Sequence, residues 1–140
     1  MVWHTVPRIV QRFFPNRMWV GDPSGDQVYL TFDDGPVPGV TDYVLNELAK
    51  RDQKATFFMV GDNVRKHSSL ASEVVAQGHH IGNHTFNHLK GWTTSDSEYV
   101  ENVGKCDWIF EEKLGLKTGL FRPPYGLIRN SQAQVILKSK

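Results

Sequence analysis

Apolar residues gather in short runs that alternate with helical stripes along most of the chain. Runs rich in β-branched and aromatic residues predict strands at 27–32, 54–60, 79–83 and 119–122. Apolar residues at helical spacing predict helices at 41–50, about 64–77, 96–114 and 131–138. Thr41 is a candidate cap for the first of these helices, and Ser95 or Asp96 for the third. This alternation predicts an α/β fold with a parallel sheet.

Residues 1–26 precede this pattern and form an apolar lead-in, and residues 27–140 form one domain. The lead-in is interrupted by Pro7, Arg8 and Pro15, so it lacks the continuous apolar stretch of about 7–15 residues that an export signal needs. We expect it to pack on the domain. No stretch approaches the ~20 apolar residues of a membrane helix. The location stays open between the cytoplasm and the cell envelope.

Composition narrows the function classes. With 16 basic and 15 acidic residues the net charge is +1, which gives no support to a nucleic-acid partner. A hydrophobic fraction of 39% is sufficient for a globular core. The single cysteine, Cys106, cannot form an internal disulfide, and we interpret it as a packing residue.

The residues that carry chemistry fall where predicted strands end. They are Asp33 and Asp34, His84 and His88, and Arg122 and Tyr125. In parallel α/β folds, ligands bind beyond the carboxyl ends of the strands. Strand positions and reactive residues therefore point to the same edge of the predicted sheet.

His84 and His88 have the spacing that brings two imidazoles to one face of a helical turn. Together with an aspartate they are a ligand set that suits Zn²⁺ or another first-row divalent metal. Three protein ligands leave a position open, as in catalytic sites. Taken separately, the histidine pair is also compatible with coincidence, and Asp33-Asp34 with a polar turn.

Arg122 and Tyr125 flank two prolines, which predict a rigid loop. Arg122 can pair with Asp33 and hold it ionised, and the Tyr125 N–H can serve an oxyanion. The alternative is a loop in which Tyr125 packs and Arg122 is a surface charge.

With these motifs in place, the sequence resembles the polysaccharide deacetylase domain (NodB homology, carbohydrate esterase family 4). The resemblance covers about residues 28–126, and its three motifs are Thr31-Phe32-Asp33-Asp34-Gly35-Pro36, His84-Thr85-Phe86-Asn87-His88 and Arg122-Pro123-Pro124-Tyr125. It implies a distorted (β/α) barrel and a metal-dependent hydrolase that removes acetyl groups from a chitin-like or peptidoglycan-like N-acetylglucosamine substrate.

The resemblance also implies roles for individual residues. Asp34, His84 and His88 would hold the metal, usually zinc. Asp33 would act as the general base, Arg122 would orient Asp33, and the Tyr125 N–H would stabilise the oxyanion. The implied partner is a carbohydrate.

The sequence departs from the family pattern after the third motif. Family members continue with an aspartate–tryptophan motif and a leucine–histidine motif, whose histidine is the usual general acid, whereas no histidine follows His88 here. We therefore expect only the N-terminal part of the barrel, about four βα units, in a truncated version of a longer protein. An exposed barrel edge would favour self-association.

Two further functions stay open. One is an incomplete domain that binds metal or sugar with weak or no catalysis, since the expected general acid is missing. The other is a metallohydrolase that acts on a different acyl substrate.

Overall fold

The computed structural model describes residues 6–21 and 27–139. The segment 21–26, whose glycines, proline and serine predict a turn, lies, apart from Gly21, outside them. Within the described residues the helices are α1 (Arg8–Phe13), α2 (Thr41–Ala49), α3 (Gly61–Lys66), α4 (Ser68–Ala76), α5 (Asp96–Leu114) and α6 (Asn130–Ser139). The strands are β1 (Thr31–Asp33), β2 (Thr56–Met59) and β3 (His80–Asn83), and short 3₁₀ turns span Gly91–Thr93 and Pro124–Gly126.

The three strands form one parallel sheet in the order β1-β2-β3. Phe32 lies opposite Phe57, which lies opposite Ile81. A parallel sheet that alternates with helices confirms the predicted α/β fold class. In the described part of the chain, no helix has the length and apolar character to span a membrane.

The predicted fourth strand at 119–122 is wrong in extent. It is reduced to one parallel bridge between Asn83 and Phe121. Just before it, the Thr118 hydroxyl donates to the Ile81 carbonyl and accepts from the Leu120 N–H, which replaces ladder bonds with side-chain bonds. Pro123 then ends the extended segment because proline has no N–H to donate.

The first strand is also shorter than its β-forming residues predict. The structure has β1 from Thr31 to Asp33, and residues 27–30 are irregular. Val28 is 85% exposed and Tyr29 is 59% exposed. β-Propensity reflects packing against neighbouring strands, and these side chains lack such cover.

Two helix predictions need correction. The helix predicted at about 64–77 is divided into α3 and α4 at His67, whose backbone is non-helical. Serines follow the break, and their side chains compete for backbone hydrogen bonds. Thr41 is not a cap, because its hydroxyl accepts from the Val37 N–H while Val40 holds the cap position. The Ser95 cap is confirmed by its bond from the Glu98 N–H.

Helix α5 supplies much of the core and supports the edge where the strands end. Its buried residues are Tyr99, Val103, Cys106, Ile109 and Phe110. The apolar spacing of this helix also predicts that Trp108 faces inward, and this prediction is wrong, since Trp108 is 59% exposed. Two residues along a helix correspond to a rotation of about 200°, so Trp108 lies opposite Cys106, whose interpretation as a packing residue is confirmed.

The expectation that the lead-in packs on the domain is met only in part, because α1 buries no residue and Phe13 and Met18 are 76% and 84% exposed. Residues 16–19 line a cavity of about 700 Å³ together with Phe121, Ile136 and Leu137. The cavity extends to Asp33 and Arg122, so the lead-in approaches the edge of the sheet that carries the reactive side chains.

Candidate active site

The two adjacent aspartates at the end of β1 have different partners. Asp34 adopts a left-handed backbone with φ of 69°, and the Gly35-Pro36 peptide that follows is cis. The Asp33 carboxylate accepts from Arg122, whereas the Asp34 carboxylate faces His84 and His88. The turn thus separates two carboxylates that would repel each other if they shared one partner.

His84 and His88 do not lie on a helical turn, so that part of the prediction is wrong. They bound an irregular loop after β3 in which Thr85 and His88 have positive φ values of 64° and 56°. The i, i+4 spacing still brings the rings together, with centroids 5.0 Å apart. The loop conformation, and not a helix, produces the convergence.

Asp34, His84 and His88 form a cluster of potential metal ligands. Asp34 Oδ1 lies 3.3 Å from His84 Nε2 and 3.0 Å from His88 Nε2. All three ligand atoms lie within 4.8 Å of one another. Two ligand atoms of a tetrahedral zinc site are roughly 3.3 Å apart, given bonds of about 2.0–2.1 Å. The spacing therefore fits a single small metal ion.

The protonation of His84 supports the same conclusion. Its Nδ1 lies 2.7 Å from the Arg122 carbonyl oxygen, which can only accept, so Nδ1 carries the hydrogen. Burial lowers the pKa of His84, which favours the neutral ring. Nε2 then directs a lone pair toward the Asp34 carboxylate. Two acceptors in this position require a cation between them, and the carbonyl contact is the outer support typical of metal-binding histidines.

Arg122 connects the two edges of the described sheet: its backbone lies beside β3, and its side chain bonds to β1. Its guanidinium donates to Asp33 Oδ1 at 2.7 Å and to the Thr31 hydroxyl at 2.9 Å. It also lies over the Phe58 ring, 4.0 Å from the centroid. The pairing with Asp33 agrees with the sequence prediction. A guanidinium held in this way fixes the orientation of the Asp33 carboxylate.

Tyr125 follows the two prolines with a positive φ of 59°. Its ring packs on His88, with centroids 4.8 Å apart, and is 65% exposed. Within the described residues its N–H has no acceptor. This N–H is therefore available to a further acceptor, and its predicted role at an oxyanion stays a prediction.

Sequence reasoning missed three asparagines that hold the loops. Asn63 donates to the Asp34 carbonyl at 2.8 Å. Asn83 is fully buried, accepts from the Thr85 N–H and donates to α5. Asn102 bonds to the loop between the histidines. The only sequence signal was the position of Asn83 directly before His84, since the other two act across long stretches of chain.

A cavity of about 320 Å³ opens beside the cluster. Asp34 and His88 line it together with Val60, Asp62, Asn63 and Asn87. Its mixed lining of carboxylates, amides and one apolar residue offers hydrogen-bond partners of the kind that a polar small molecule requires.

Comparisons with known proteins agree with this geometry. The family model described as polysaccharide deacetylase matches residues 20–139. A peptidoglycan-N-acetylglucosamine deacetylase of Bacillus cereus is 42% identical over 110 residues, which are 78% of this chain and 51% of that protein.

Two solved structures are similar in fold. The Bc1960 peptidoglycan N-acetylglucosamine deacetylase has a TM-score of 0.82 at 34% identity, over 85% of this chain and 56% of that one. BA3943 of Bacillus anthracis, described as a carbohydrate esterase family 4 pseudoenzyme, has a TM-score of 0.78 at 28% identity, over 85% and 42%.

The chain spans about half or less of the length of these relatives. The match nevertheless extends over most of this chain and includes every element that carries the cluster. The chain therefore belongs to the polysaccharide deacetylase family.

Proposed function

We propose that the chain carries the metal-binding and base-bearing half of a deacetylase that hydrolyses the N-acetyl groups of a peptidoglycan-like or chitin-like N-acetylglucosamine polymer. The observation that carries the proposal is the convergence of Asp34, His84 and His88 beside the Asp33–Arg122 pair. The similarity to a peptidoglycan-N-acetylglucosamine deacetylase supports the substrate class.

Asp34, His84 and His88 would hold a divalent metal, most readily zinc, since two imidazoles and a carboxylate are borderline-hard ligands. Such a metal lowers the pKa of water and polarises an amide carbonyl. The neutral His84 ring already has its lone pair directed into the cluster, so binding requires no change of tautomer there.

Asp33 would take the proton from the attacking water. Arg122 keeps this carboxylate oriented, and a positioned carboxylate accelerates such proton transfers by about 10²–10⁴-fold. The free Tyr125 N–H would donate to the oxygen that becomes negative as the acetyl carbonyl is attacked.

The test is acetate release from N-acetylglucosamine oligomers and from peptidoglycan fragments, with Zn²⁺ and after treatment with a chelator. We expect release that needs metal and is lost in Asp33→Asn. The matched control is Asp52→Asn, because Asp52 is exposed and its φ of 49° suits asparagine. Equal loss in both variants, or release without metal, would contradict the proposal.

A second function is an incomplete domain that binds metal with little turnover. The observation that favours it is the absence of any histidine after His88 in the sequence, because the leaving amine then lacks an obvious acid. Bound metal without acetate release would select this alternative. Release only from an O-acetyl ester or another acyl group would select a metallohydrolase of different specificity.

We also propose that the sheet edges mediate self-association. Among the described strands, β1 pairs only with β2, and Phe121 bridges only to Asn83. The surface of 9183 Å² exceeds the roughly 7,400 Å² expected for a compact monomer of 15.9 kDa. A second copy can pair its β1 edge with the Phe121 segment of the first, and the reverse pairing closes a two-fold dimer.

Sedimentation across a range of concentrations tests this association. We expect a dimer that dissociates in Val28→Lys, because Val28 lies in the irregular segment directly before β1 and a lysine there opposes the approach of a second strand edge. Val28 is 85% exposed, so the change should leave the monomer intact. A monomer at all concentrations would overturn the proposal.

A further inference from the structure

The loop that carries the histidines is fixed from two sides. On one side, the Gly61 and Asp62 amides at the start of α3 donate to the carbonyls of Thr85 and Phe86, both at 3.0 Å. On the other side, the amides of Phe86 and Asn87 point toward α5. The backbone groups of the loop are thus satisfied by two separate helices, as buried polar backbone requires.

The acceptor on the α5 side is one side chain. Asn102 Oδ1 accepts from the Phe86 N–H at 2.8 Å and from the Asn87 N–H at 3.0 Å. Asn102 Nδ2 donates to Asn87 Oδ1 at 3.0 Å. A single amide therefore makes three bonds to two consecutive residues between His84 and His88.

His88 depends on this loop more than His84 does. His84 is buried, with 3% side-chain exposure, and its Nδ1 is fixed by the Arg122 carbonyl. The His88 side chain is 28% exposed, and among the described residues it contacts the Asp34 carboxylate and the rings of His84 and Tyr125. The positive φ values at Thr85 and His88 persist only if the surroundings fix them. The distance between the two imidazoles is then set by what holds residues 85–87.

We propose that Asn102 is a positioning residue of the metal site, which holds His88 at the distance from His84 and Asp34 that a metal requires. The inference rests on the proposed metal site and names a residue outside the three sequence motifs. Asn102 does not touch the metal ligands, so it acts through the backbone of residues 86 and 87. Residues that orient metal ligands in this way typically change metal affinity by about 10- to 100-fold.

The experiment compares the Zn²⁺ dissociation constant, measured against a competing chelator, and the Co²⁺ absorption spectrum in five chains. These are the wild type, Asn102→Ala, Asn102→Asp, the control Glu101→Ala and the ligand variant His88→Ala. Glu101 is exposed on the same helix and one residue away. Measurements are made at a temperature where circular dichroism shows every metal-free variant to be folded.

We expect Asn102→Ala to raise the dissociation constant about 10- to 100-fold and to alter the Co²⁺ spectrum. Asn102→Asp should restore both, because a carboxylate oxygen accepts the same two N–H groups and the exposed Asn87 amide can turn to donate to it. Glu101→Ala should match the wild type.

Three outcomes overturn the inference, and they are distinguishable. Equal affinities in the wild type and Asn102→Ala refute the role of Asn102 alone. Failure of Asn102→Asp to restore the affinity refutes the acceptor contact as its cause. A wild-type chain that binds no metal, and does not differ from His88→Ala, refutes the metal site and this inference with it.

Discussion

Gly61, the first residue of α3, packs closely against Phe86 of the histidine loop and against Cys106 of α5. The variant Gly61→Ala tests that packing. A Cβ at this position would lie 2.7 Å from Phe86 Cδ2 and 3.1 Å from both Cα and Sγ of Cys106. Non-bonded carbons normally approach to about 3.5–4.0 Å, so Phe86 must move by about 0.8 Å or more. The α5 backbone at Cys106 leaves little room in the other direction.

The cost follows from this overlap. Inserting a methyl into a packed core typically costs about 1–3 kcal/mol. For a chain of this size each kcal/mol lowers the melting temperature by roughly 3–4 °C, so we expect a decrease of about 3–12 °C. Because Gly61 N–H donates to the Thr85 carbonyl and Phe86 lies between the histidines, metal affinity should fall as well.

Gly104→Ala is the matched control. Gly104 lies inside α5, and a Cβ there meets no atom within 4 Å. Alanine is preferred to glycine within a helix by up to about 1 kcal/mol, so this variant should be slightly more stable than the wild type. Thermal unfolding of both variants in chelator is the assay. If Gly61→Ala is as stable as Gly104→Ala, the packing argument is wrong.

Two further predictions concern buried polar groups. Burial lowers the pKa of both His79 and His84, so the unfolded chain binds protons more readily; metal-free stability should be complete above about pH 6.5 and decrease as the pH falls below it. Urea unfolding between pH 8 and 5 checks this. If the stability of His79→Gln falls just as steeply with pH, His79 does not contribute to the loss. The Tyr99 hydroxyl is buried without a partner among the described residues, and burial raises its pKa. Tyr99→Phe should therefore stabilise the chain by about 1 kcal/mol, and a clear loss of stability in urea would show that the hydroxyl has a partner.

The location of the site could be predicted because it depends on topology. Strand–helix alternation implies a parallel sheet, and a parallel sheet brings its strand ends to one edge. Asp33 and Arg122 are 89 residues apart in sequence, yet their opposite charges at two such ends were sufficient to predict their pairing. No feature of local propensity was needed for this step.

The extent of the strands could not be predicted in the same way. Val28 and Tyr29 are strong β-formers, but they remain outside β1 because no neighbouring strand covers them. The segment at 119–122 likewise loses ladder bonds to the Thr118 hydroxyl. Both errors lie at the edges of the described sheet, where pairing depends on what lies alongside and not on the residues themselves.

The spacing of His84 and His88 correctly predicted that their rings lie close together, but the helical turn from which this was predicted is wrong. A helical turn would need only local bonds, whereas the observed loop needs Asn102, 15 or 16 residues away, and the amides at the start of α3. A single sequence does not reveal such contacts, because most asparagines in helices lie on the surface and have no such role. Loops with positive φ at non-glycine residues are therefore the part of a site that is hardest to predict from sequence.

The same long-range contacts make the segment around Arg122 decisive for the site. Its carbonyl fixes the His84 tautomer, its guanidinium holds Asp33, and two residues beyond Pro123 the Tyr125 ring packs on His88. On the β3 side this segment is paired through two backbone bonds with Asn83, and among the described residues no strand pairs with its other side. The proposed metal ligands, base and oxyanion donor therefore depend together on this edge of the described sheet. Whatever covers that edge, a second copy or further chain, should stabilise the whole site and not one residue of it.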